Sequence, residues 1–352
     1  MMQTCRKRLV YKYHLSGIVL VSFMIAIASL ADAMTYDECL LNTLKTASPV
    51  TSVETIRSDC NRYLNQEASF PLDTDMHAAD IRDSSVVGNR MSNESKTFDN
   101  PFALTPHRPN YVLLGTYSTS PNTTPFDSTD TYSDNWEIKF QISLKYRVWD
   151  NLLWNNGDIY LAYTNQSWWQ AYNSDESRPF RETNHEPEAW IQFDYDRGIW
   201  GLDNMNILIG AAHQSNGHNS SQSRSWNRVY LNLVGNVGNW VVSLKPWYRI
   251  PENEKSALLE TDGDDNPDIS RFMGYGEFRT LYKWRENVFS VMFRNNLRTS
   301  ENKGAVELGW SFPLFGKFKI YLQYFNGYGE SLIDYNTSIN RFGAGLMLSD
   351  WL

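Results

Sequence analysis

Three side chains in two neighbouring segments have the types and the spacing needed for nucleophilic hydrolysis. His213 precedes Ser215 by two positions, and Asn227 lies 12 residues after Ser215. A serine hydroxyl is a weak nucleophile until a base takes its proton, and a histidine two positions away on the same strand face can act as that base. Asn227 would accept the other ring N–H of His213 and fix its tautomer, as an asparagine does in one variant of the catalytic triad.

A neutral asparagine stabilises the imidazolium of such a reaction less than a carboxylate does. A further source of positive potential is therefore expected at the developing oxyanion. The backbone N–H of Gly217 together with a bound cation would supply it. Glycine also lets the backbone approach a substrate closely. We therefore predict Gly217 as the oxyanion donor.

Strand parity places these side chains on an apolar face. Side chains alternate between the two faces of a β-strand. In residues 205–215 the odd positions are apolar until His213 and Ser215, and in residues 227–233 they are apolar after Asn227. A polar turn joins the two segments into a hairpin, so the end of the first strand lies beside the start of the second. The three side chains can therefore converge at one rim of the sheet.

A less specific interpretation of the same residues is available. A serine or asparagine in a strand is more commonly a solvated residue or a cross-strand hydrogen-bonding partner, and the cluster could mark the boundary of the lipid headgroups. Its location favours a function, because a polar cluster on a lipid-facing row needs a reason. No G-x-S-x-G motif is present, so an α/β-hydrolase is not supported.

The N-terminus has the features of a secretory signal peptide. Basic residues precede an apolar run over 18–30, and Ala31-Asp32-Ala33 forms an A-x-A cleavage site. We predict that residues 1–33 are removed on export; an uncleaved membrane anchor is the alternative. No later segment has the roughly 20 consecutive apolar residues that a transmembrane helix requires. If the exported protein spans a bilayer, it must do so as a β-barrel.

Composition and strand pattern both favour a barrel. The chain has 20 Tyr, 17 Phe and 13 Trp, while its mean hydropathy is negative. Transmembrane barrels combine aromatic girdles with a polar lumen in this way. Residues 136–148 alternate without interruption, and their polar face carries Glu137, Lys139, Lys145 and Arg147. These side chains would fill a small lumen, which argues against a wide channel. The formal net charge of -8 argues against a nucleic-acid partner.

The alternating segments predict an all-β fold, a twelve-stranded antiparallel transmembrane β-barrel over residues 110–352, with a strand count that is even as in bacterial barrels. The predicted strands cover residues 110–118, 135–148, 158–169, 187–196, 204–216, 226–234, 240–250, 271–284, 288–298, 304–313, 318–327 and 339–352. Longer connections should be extracellular and shorter ones periplasmic. The connection 217–225 is one of the longer ones, which puts the predicted triad near the outer-leaflet rim.

Residues 34–109 are predicted to form a small periplasmic extension and a linker. Apolar residues at helix-like intervals, among them Leu40, Leu44 and Ile56, predict a helical hairpin, and a polar stretch follows. Cys39 and Cys60 can pair in an oxidising periplasm. Two free buried thiols are the alternative.

Several separate motifs, in one order along residues 110–352, resemble the outer-membrane phospholipase A family of Gram-negative bacteria. They are His213-Gln214-Ser215-Asn216-Gly217, Ser223-Arg224-Ser225-Trp226-Asn227, Ser167-Trp168-Trp169-Gln170, Pro179-Phe180-Arg181-Glu182-Thr183-Asn184, Lys245-Pro246-Trp247-Tyr248, Asp265-Asn266-Pro267-Asp268-Ile269 and Gly327-Tyr328-Gly329-Glu330-Ser331-Leu332-Ile333-Asp334-Tyr335-Asn336. The resemblance implies an outer-membrane barrel that hydrolyses acyl esters of phospholipids and lysophospholipids (A1 and A2 activity). It assigns Ser215 as nucleophile, His213 as base and Asn227 as orienter.

The resemblance also implies calcium-dependent activity in a homodimer, with the metal between the subunits. By position, the ligands would be the Ser223 hydroxyl and the His218 backbone carbonyl of one subunit and the Ser177 hydroxyl of the other. Gly217 takes the oxyanion role. His218 stands where the resemblance leads us to expect an arginine, which leaves the contribution of its side chain open. Asn165 stands where we expect a glutamine at the dimer contact, which leaves the strength of the dimer open.

An acidic run resembles a metal-binding loop at first sight. It consists of Asp262, Asp264, Asp265 and Asp268. The run lacks the terminal glutamate spacing of an EF-hand, so we predict a solvated extracellular loop instead.

Two other functions compete with a calcium-activated phospholipase that is switched by dimerisation. The first is a passive structural barrel or pore with a degenerate triad. The second is a lipid A deacylase, an enzyme of the same membrane that acts on a different substrate class.

Overall fold

The computed structural model describes most of the predicted barrel and a few residues that precede it. The described residues are 45, 88, 90, 94, 97, 103–126, 134–153, 156–175, 177–195, 201–253, 255, 263–316 and 318–351. The predicted signal peptide, Cys39, Cys60 and most of the predicted extension lie outside them. The strands and helices named below all belong to one compact unit, Asp75–Leu352.

Twelve antiparallel strands form a closed barrel, as the sequence predicts. They are β2 (Asn110–Ser118), β3 (Trp136–Trp149), β4 (Asp158–Trp169), β5 (Phe180–Tyr195), β6 (Asp203–Ser215), β7 (Ser225–Val237), β8 (Trp240–Ile250), β9 (Gly276–Trp284), β10 (Asn287–Asn295), β11 (Gly304–Phe315), β12 (Phe318–Tyr328) and β13 (Ser338–Ser349). Each strand pairs with the next along the chain, and β13 pairs with β2 to close the sheet. A two-residue strand, β1 (Thr105–Pro106), pairs with β3. Within the described ranges, no helix has the length and apolarity needed to cross a membrane.

The alternation along β3 separates the two surfaces of the barrel. Ile142 and Leu144 point outward and are 50% and 37% exposed, whereas Lys139 and Ser143 are buried in the lumen. An outer wall of apolar side chains suits a lipid bilayer, because the closed sheet satisfies every backbone hydrogen bond internally. The barrel is therefore built to span a membrane.

Two predicted strand starts differ from the structure by more than one residue. β5 begins at Phe180 rather than at residue 187, and β9 begins at Gly276 rather than at residue 271. The early part of β5 is hard to recognise because its inward side chains, such as Glu182 and Asn184, are polar and buried against each other. Before β9, Ile269–Met273 form a short α-helix with buried apolar side chains.

Charged side chains fill the lumen as ion pairs. Glu137 lies 2.6 Å from Arg181 Nε and 2.6 Å from Arg341 Nη1. Lys139 and Arg341 both reach Glu330, at 3.1 and 2.8 Å. A cavity of about 230 Å³ remains among the lumen side chains. Pairing is what makes such burial tolerable, because removing one partner of a buried pair leaves an uncompensated charge.

Residues upstream of the barrel also contact the lumen. Lys145 Nζ lies 2.7 Å from Glu94, which in turn lies 2.9 Å from Arg90. Arg147 pairs with Asp158 at 3.4 Å near the end of β3. Two described residues of the segment 34–109 are thus tied to a barrel strand.

Glu330 lies in the loop after β12, outside the strands, and its titration leads to a testable pH dependence. Burial alone would raise the pKa of Glu330, but Arg341 and Lys139 hold that pKa at about 2, below the ordinary value of 4.5. A carboxyl group whose pKa is lower in the folded state adds stability that is present above pH 4.5 and is lost as the pH falls toward 2.

We therefore expect Glu330→Gln to lower the urea unfolding midpoint at about pH 6, where the wild-type carboxylate is fully charged. The gap between the variant and the wild type should close as the pH falls from 4.5 toward 2. Unfolding curves across this range measure the gap. A gap of constant size would contradict the assignment of the pH dependence to Glu330.

Candidate functional site

His213 and Asn227 meet on the outer wall of the barrel. They lie opposite each other in the register of β6 and β7, and His213 Nδ1 is 2.8 Å from Asn227 Oδ1. An amide oxygen can only accept, so Nδ1 carries the proton and the neutral ring keeps Nε2 as its basic nitrogen. The two side chains share the outward face with Ala211 and Val229, which are exposed. This is the ring orientation that a general base needs.

Ser215 is the last residue of β6 and faces outward like His213. Two residues along a strand are about 6.6 Å apart at their Cα atoms, so rotamer changes can bring the two side chains together. Within the described part of the chain, Ser215 Oγ hydrogen-bonds no other side chain. Catalytic hydrogen bonds of this kind are commonly long before substrate binds.

The turn after Ser215 contains Gly217, the predicted oxyanion donor. Gly217 has a φ of 68°, in the left-handed region that favours glycine. Asn216 organises the turn, because its Oδ1 accepts from the backbone N–H groups of His218 (3.3 Å) and Arg224 (2.9 Å). These bonds join the two ends of the turn and give the Gly217 N–H a defined position.

A buried carboxylate supports this turn from inside the barrel. The Glu182 side chain is 0% exposed; its Oε2 accepts from Asn216 Nδ2 at 3.3 Å and lies 3.2 Å from His218 Nε2. Its Oε1 accepts from the backbone N–H of Ile333 at 3.1 Å. Glu182 therefore holds both residues that flank Gly217. The His218 side chain, whose contribution the resemblance left open, is directed inward.

The residues predicted to hold calcium are oxygen donors on two loops. The Ser223 hydroxyl donates to Asp265 Oδ2 at 2.7 Å, which leaves its own lone pairs able to accept or to bind a cation. The His218 backbone carbonyl belongs to the same turn, whereas Ser177 lies exposed in the loop between β4 and β5. Hydroxyl and carbonyl oxygens are hard donors of the kind that Ca²⁺ prefers. This donor set fits calcium, with Ser177 on a separate loop from the other two ligands.

The acidic run before the short helix has protein partners instead of a common centre. Asp264 pairs with Arg249 and Asp265 pairs with Lys255, while Asp262 lies outside the described residues. Across the described ranges, no three His, Cys, Asp or Glu side chains are grouped so that they could hold a metal ion.

Sequence reasoning missed a carboxylate behind Asn227. Glu252 follows the end of β8, and its Oε1 accepts a hydrogen bond from Asn227 Nδ2 at 2.7 Å. The strand register explains the contact, because Asn227 lies opposite Ile250, the last residue of β8, and Glu252 follows only two residues later. The two residues are 25 positions apart in the chain, so only the pairing of β7 with β8 brings them together.

A second histidine, also missed, flanks Ser215 on the side of β5. His185 lies opposite Ser215 in the register. Its Nδ1 is 2.6 Å from the Tyr163 hydroxyl oxygen and 3.4 Å from Asn165 Nδ2. Asn165, which we expected at a dimer contact, therefore lies on the outward polar row that continues through His185 to Ser215.

Known proteins resemble this chain across the whole barrel region. A sequence model of the phospholipase A1 family matches residues 87–348. A phospholipase A1 of Klebsiella pneumoniae is 40% identical over 276 residues, which cover 77% of this chain and 92% of that protein. The phospholipase A1 of Escherichia coli K12 is 39% identical over 275 residues, covering 77% and 90% respectively.

Solved structures of outer membrane phospholipases are also similar to this chain. Outer membrane phospholipase A from E. coli superimposes with a TM-score of 0.65 at 39% identity and covers 72% of this chain and 95% of that one. The Salmonella typhi outer membrane phospholipase, solved as a dimer with bound calcium, has a TM-score of 0.64 at 39% identity and covers 72% and 94%.

Proposed function

Because the chain belongs to the phospholipase A1 family, it is an ester hydrolase of the Gram-negative outer membrane, and we propose that it is a calcium-dependent phospholipase A with a Ser-His-Asn triad on its lipid-facing wall. Under this proposal, Ser215, His213 and Asn227 cleave acyl esters of phospholipids and lysophospholipids at both acyl positions. The active form is a homodimer.

The observation that carries the proposal is the hydrogen bond of 2.8 Å between His213 Nδ1 and Asn227 Oδ1 on the outer wall. Polar side chains on a row that faces hydrocarbon are costly and therefore mark a function. An oriented imidazole beside Ser215 on such a row can meet a lipid that approaches laterally within the membrane. The apolar residues of the same rows, such as Ala211 and Val229, would line the path of its acyl chains.

The proposed reaction has two half-steps. His213 Nε2 takes the Ser215 hydroxyl proton while Oγ attacks the ester carbonyl carbon, and the Gly217 N–H donates to the oxyanion. The tetrahedral intermediate collapses, the C–O bond to the glycerol backbone breaks, and His213 returns the proton to the leaving alkoxide. Water, deprotonated by His213, then attacks the carbonyl carbon of the acyl-serine. The C–O bond to Ser215 Oγ breaks, His213 returns the proton to Oγ, and the fatty acid is released. Asn227 keeps the imidazole in the required tautomer throughout.

The calcium ion would be held by the Ser223 hydroxyl and the His218 carbonyl of one subunit and by the Ser177 hydroxyl of the partner. When bound, it would supply positive potential to the oxyanion site, which a triad with a neutral orienter lacks. The dimeric, calcium-bound Salmonella typhi homologue supports this part of the proposal. Dimerisation would then complete the metal site and switch the enzyme on.

The substrate class can be tested by comparing lipids in mixed micelles. We expect the wild type to release labelled fatty acid from phosphatidylethanolamine and its lyso form, and not from lipid A. The reverse preference would identify a lipid A deacylase. No release from either lipid, together with ion conductance in planar bilayers, would identify a structural barrel or pore.

Removing the Glu182 carboxylate is expected to displace the oxyanion turn. Glu182→Ala should lower kcat by about 10- to 100-fold with a smaller change in KM, because a misplaced donor weakens transition-state binding more than substrate binding. Micellar kinetics measure both constants. Glu307→Ala is the matched control, because Glu307 is a carboxylate of β11 that pairs with Arg279 at 3.6 Å. Equal losses in the two variants would indicate a general effect on the barrel and contradict this role for Glu182.

A further inference from the structure

We propose that Glu252 is a positioning residue of the hydrolytic reaction and acts on His213 through Asn227; this inference rests on the function proposed above. His213 Nδ1 lies 2.8 Å from Asn227 Oδ1, and Asn227 Nδ2 donates to Glu252 Oε1 at 2.7 Å. The three side chains form a continuous hydrogen-bonded chain that ends in a carboxylate. The triad is thereby extended to four residues.

Glu252 determines which way the Asn227 amide faces. The oxygen of an amide only accepts hydrogen bonds, and its nitrogen only donates. A carboxylate at one end requires the N–H group there, which turns the oxygen toward His213. The reversed amide would set two acceptors against each other at Glu252 and two donors against each other at His213. Glu252 therefore holds His213 in the tautomer that leaves Nε2 basic.

Glu252 also supplies the negative charge that Asn227 lacks. A hydrogen bond to a charged acceptor polarises the amide and increases the negative charge on its oxygen, which faces the imidazolium. Water screens this interaction only in part, because Glu252 is half-buried just beyond the end of β8. Among the described residues, no lysine or arginine pairs with Glu252, so its charge is not neutralised locally.

Other titratable groups near this face do not take the same role. His185, on the side of β5, is engaged with Tyr163 at 2.6 Å. Asp265, beside the β6–β7 turn, pairs with Lys255. Glu252, from the end of β8, is the carboxylate that reaches the Asn227 amide.

Glu252→Gln is the most informative variant, because glutamine keeps the size and the acceptor oxygen and removes only the charge. We expect kcat to fall about fivefold to tenfold with KM nearly unchanged, since the lost interaction is strongest with the imidazolium of the transition state. The acid limb of the kcat/KM profile should move to lower pH, because a less stabilised imidazolium forms only in more acidic solution. A merely structural residue would leave that limb in place.

A double-mutant cycle tests the route through Asn227. Without the Asn227 amide, Glu252 has no hydrogen-bonded path to His213. In the Asn227→Ala background, Glu252→Gln should therefore change kcat by less than about twofold. Additive losses would overturn the proposal, and so would an unchanged pH profile.

Glu301→Gln is the control for the loss of one surface carboxylate. Glu301 is exposed in the loop between β10 and β11 and pairs with Arg271. This variant should keep the wild-type kcat and pH profile. If hydrolysis requires Ser215 but Glu252→Gln behaves like the wild type, the inference about Glu252 alone fails. If Ser215→Ala remains fully active, the proposed function fails and this inference fails with it.

Discussion

Replacing Ser215 with alanine should lower phospholipid hydrolysis by at least about 1000-fold, because the variant lacks the proposed nucleophile that forms the acyl intermediate. Release of labelled fatty acid from phosphatidylethanolamine in mixed micelles with calcium measures the loss. The variant should fold normally, since removing one partly exposed hydroxyl leaves the strand register intact. Heat-modifiable migration on gels, which reports barrel folding, provides the check.

Ser225→Ala is the matched control for this experiment. Ser225 lies directly opposite Ser215 in the register of β6 and β7, faces the same turn and has the same side chain. It should retain activity within about threefold, because its hydroxyl lies outside the proposed triad. Comparable losses in Ser215→Ala and Ser225→Ala would argue for a structural effect of the rim, and full activity of Ser215→Ala would contradict the proposed nucleophile.

Removing calcium is expected to have the second-largest effect, a loss of at least about 100-fold in kcat. The physical reason is that a neutral Asn227 leaves much of the oxyanion stabilisation to the metal and to one backbone N–H, and loss of a single oxyanion donor can already cost about 100- to 1000-fold. Titrating calcium into chelated enzyme during fatty-acid release measures the dependence. Activity that persists in chelator would retain the triad and refute the calcium site.

Mixed dimers test whether the metal site is shared between subunits. Ser177→Ala and Ser223→Ala should each raise the calcium concentration needed for half-maximal activity. In a heterodimer of the two variants, one site receives an intact Ser223 from one subunit and an intact Ser177 from the other, while the second site lacks both. Random mixing should therefore restore about a quarter of the wild-type activity. If mixing restores no activity, Ser177 and Ser223 of the same subunit would have to bind the same calcium ion.

The barrel and the core of the predicted triad follow from local pattern. Whether a side chain faces lipid or lumen depends on its parity within its own strand, so the twelve strands could be recognised one at a time. His213 and Ser215 share a face because they are two residues apart, and the hairpin between β6 and β7 brings Asn227 beside them. The predicted strand boundaries were wrong where the alternation of polar and apolar residues is weak. One example is the start of β5, where Glu182 and Asn184 are polar yet buried.

Only the tertiary structure determines which other residues support the predicted triad and the turn beside it. Glu252 reaches Asn227 across 25 residues, and Glu182 reaches Asn216 across 34. These contacts depend on the register between neighbouring strands and on loops that fold back into the lumen, both of which are set by closure of the whole barrel. A polar residue beyond a strand end looks the same in sequence whether it is solvated or hydrogen-bonded to an amide such as that of Asn227. Which of the two applies depends on the register between neighbouring strands, and the local sequence pattern of one strand does not specify that register.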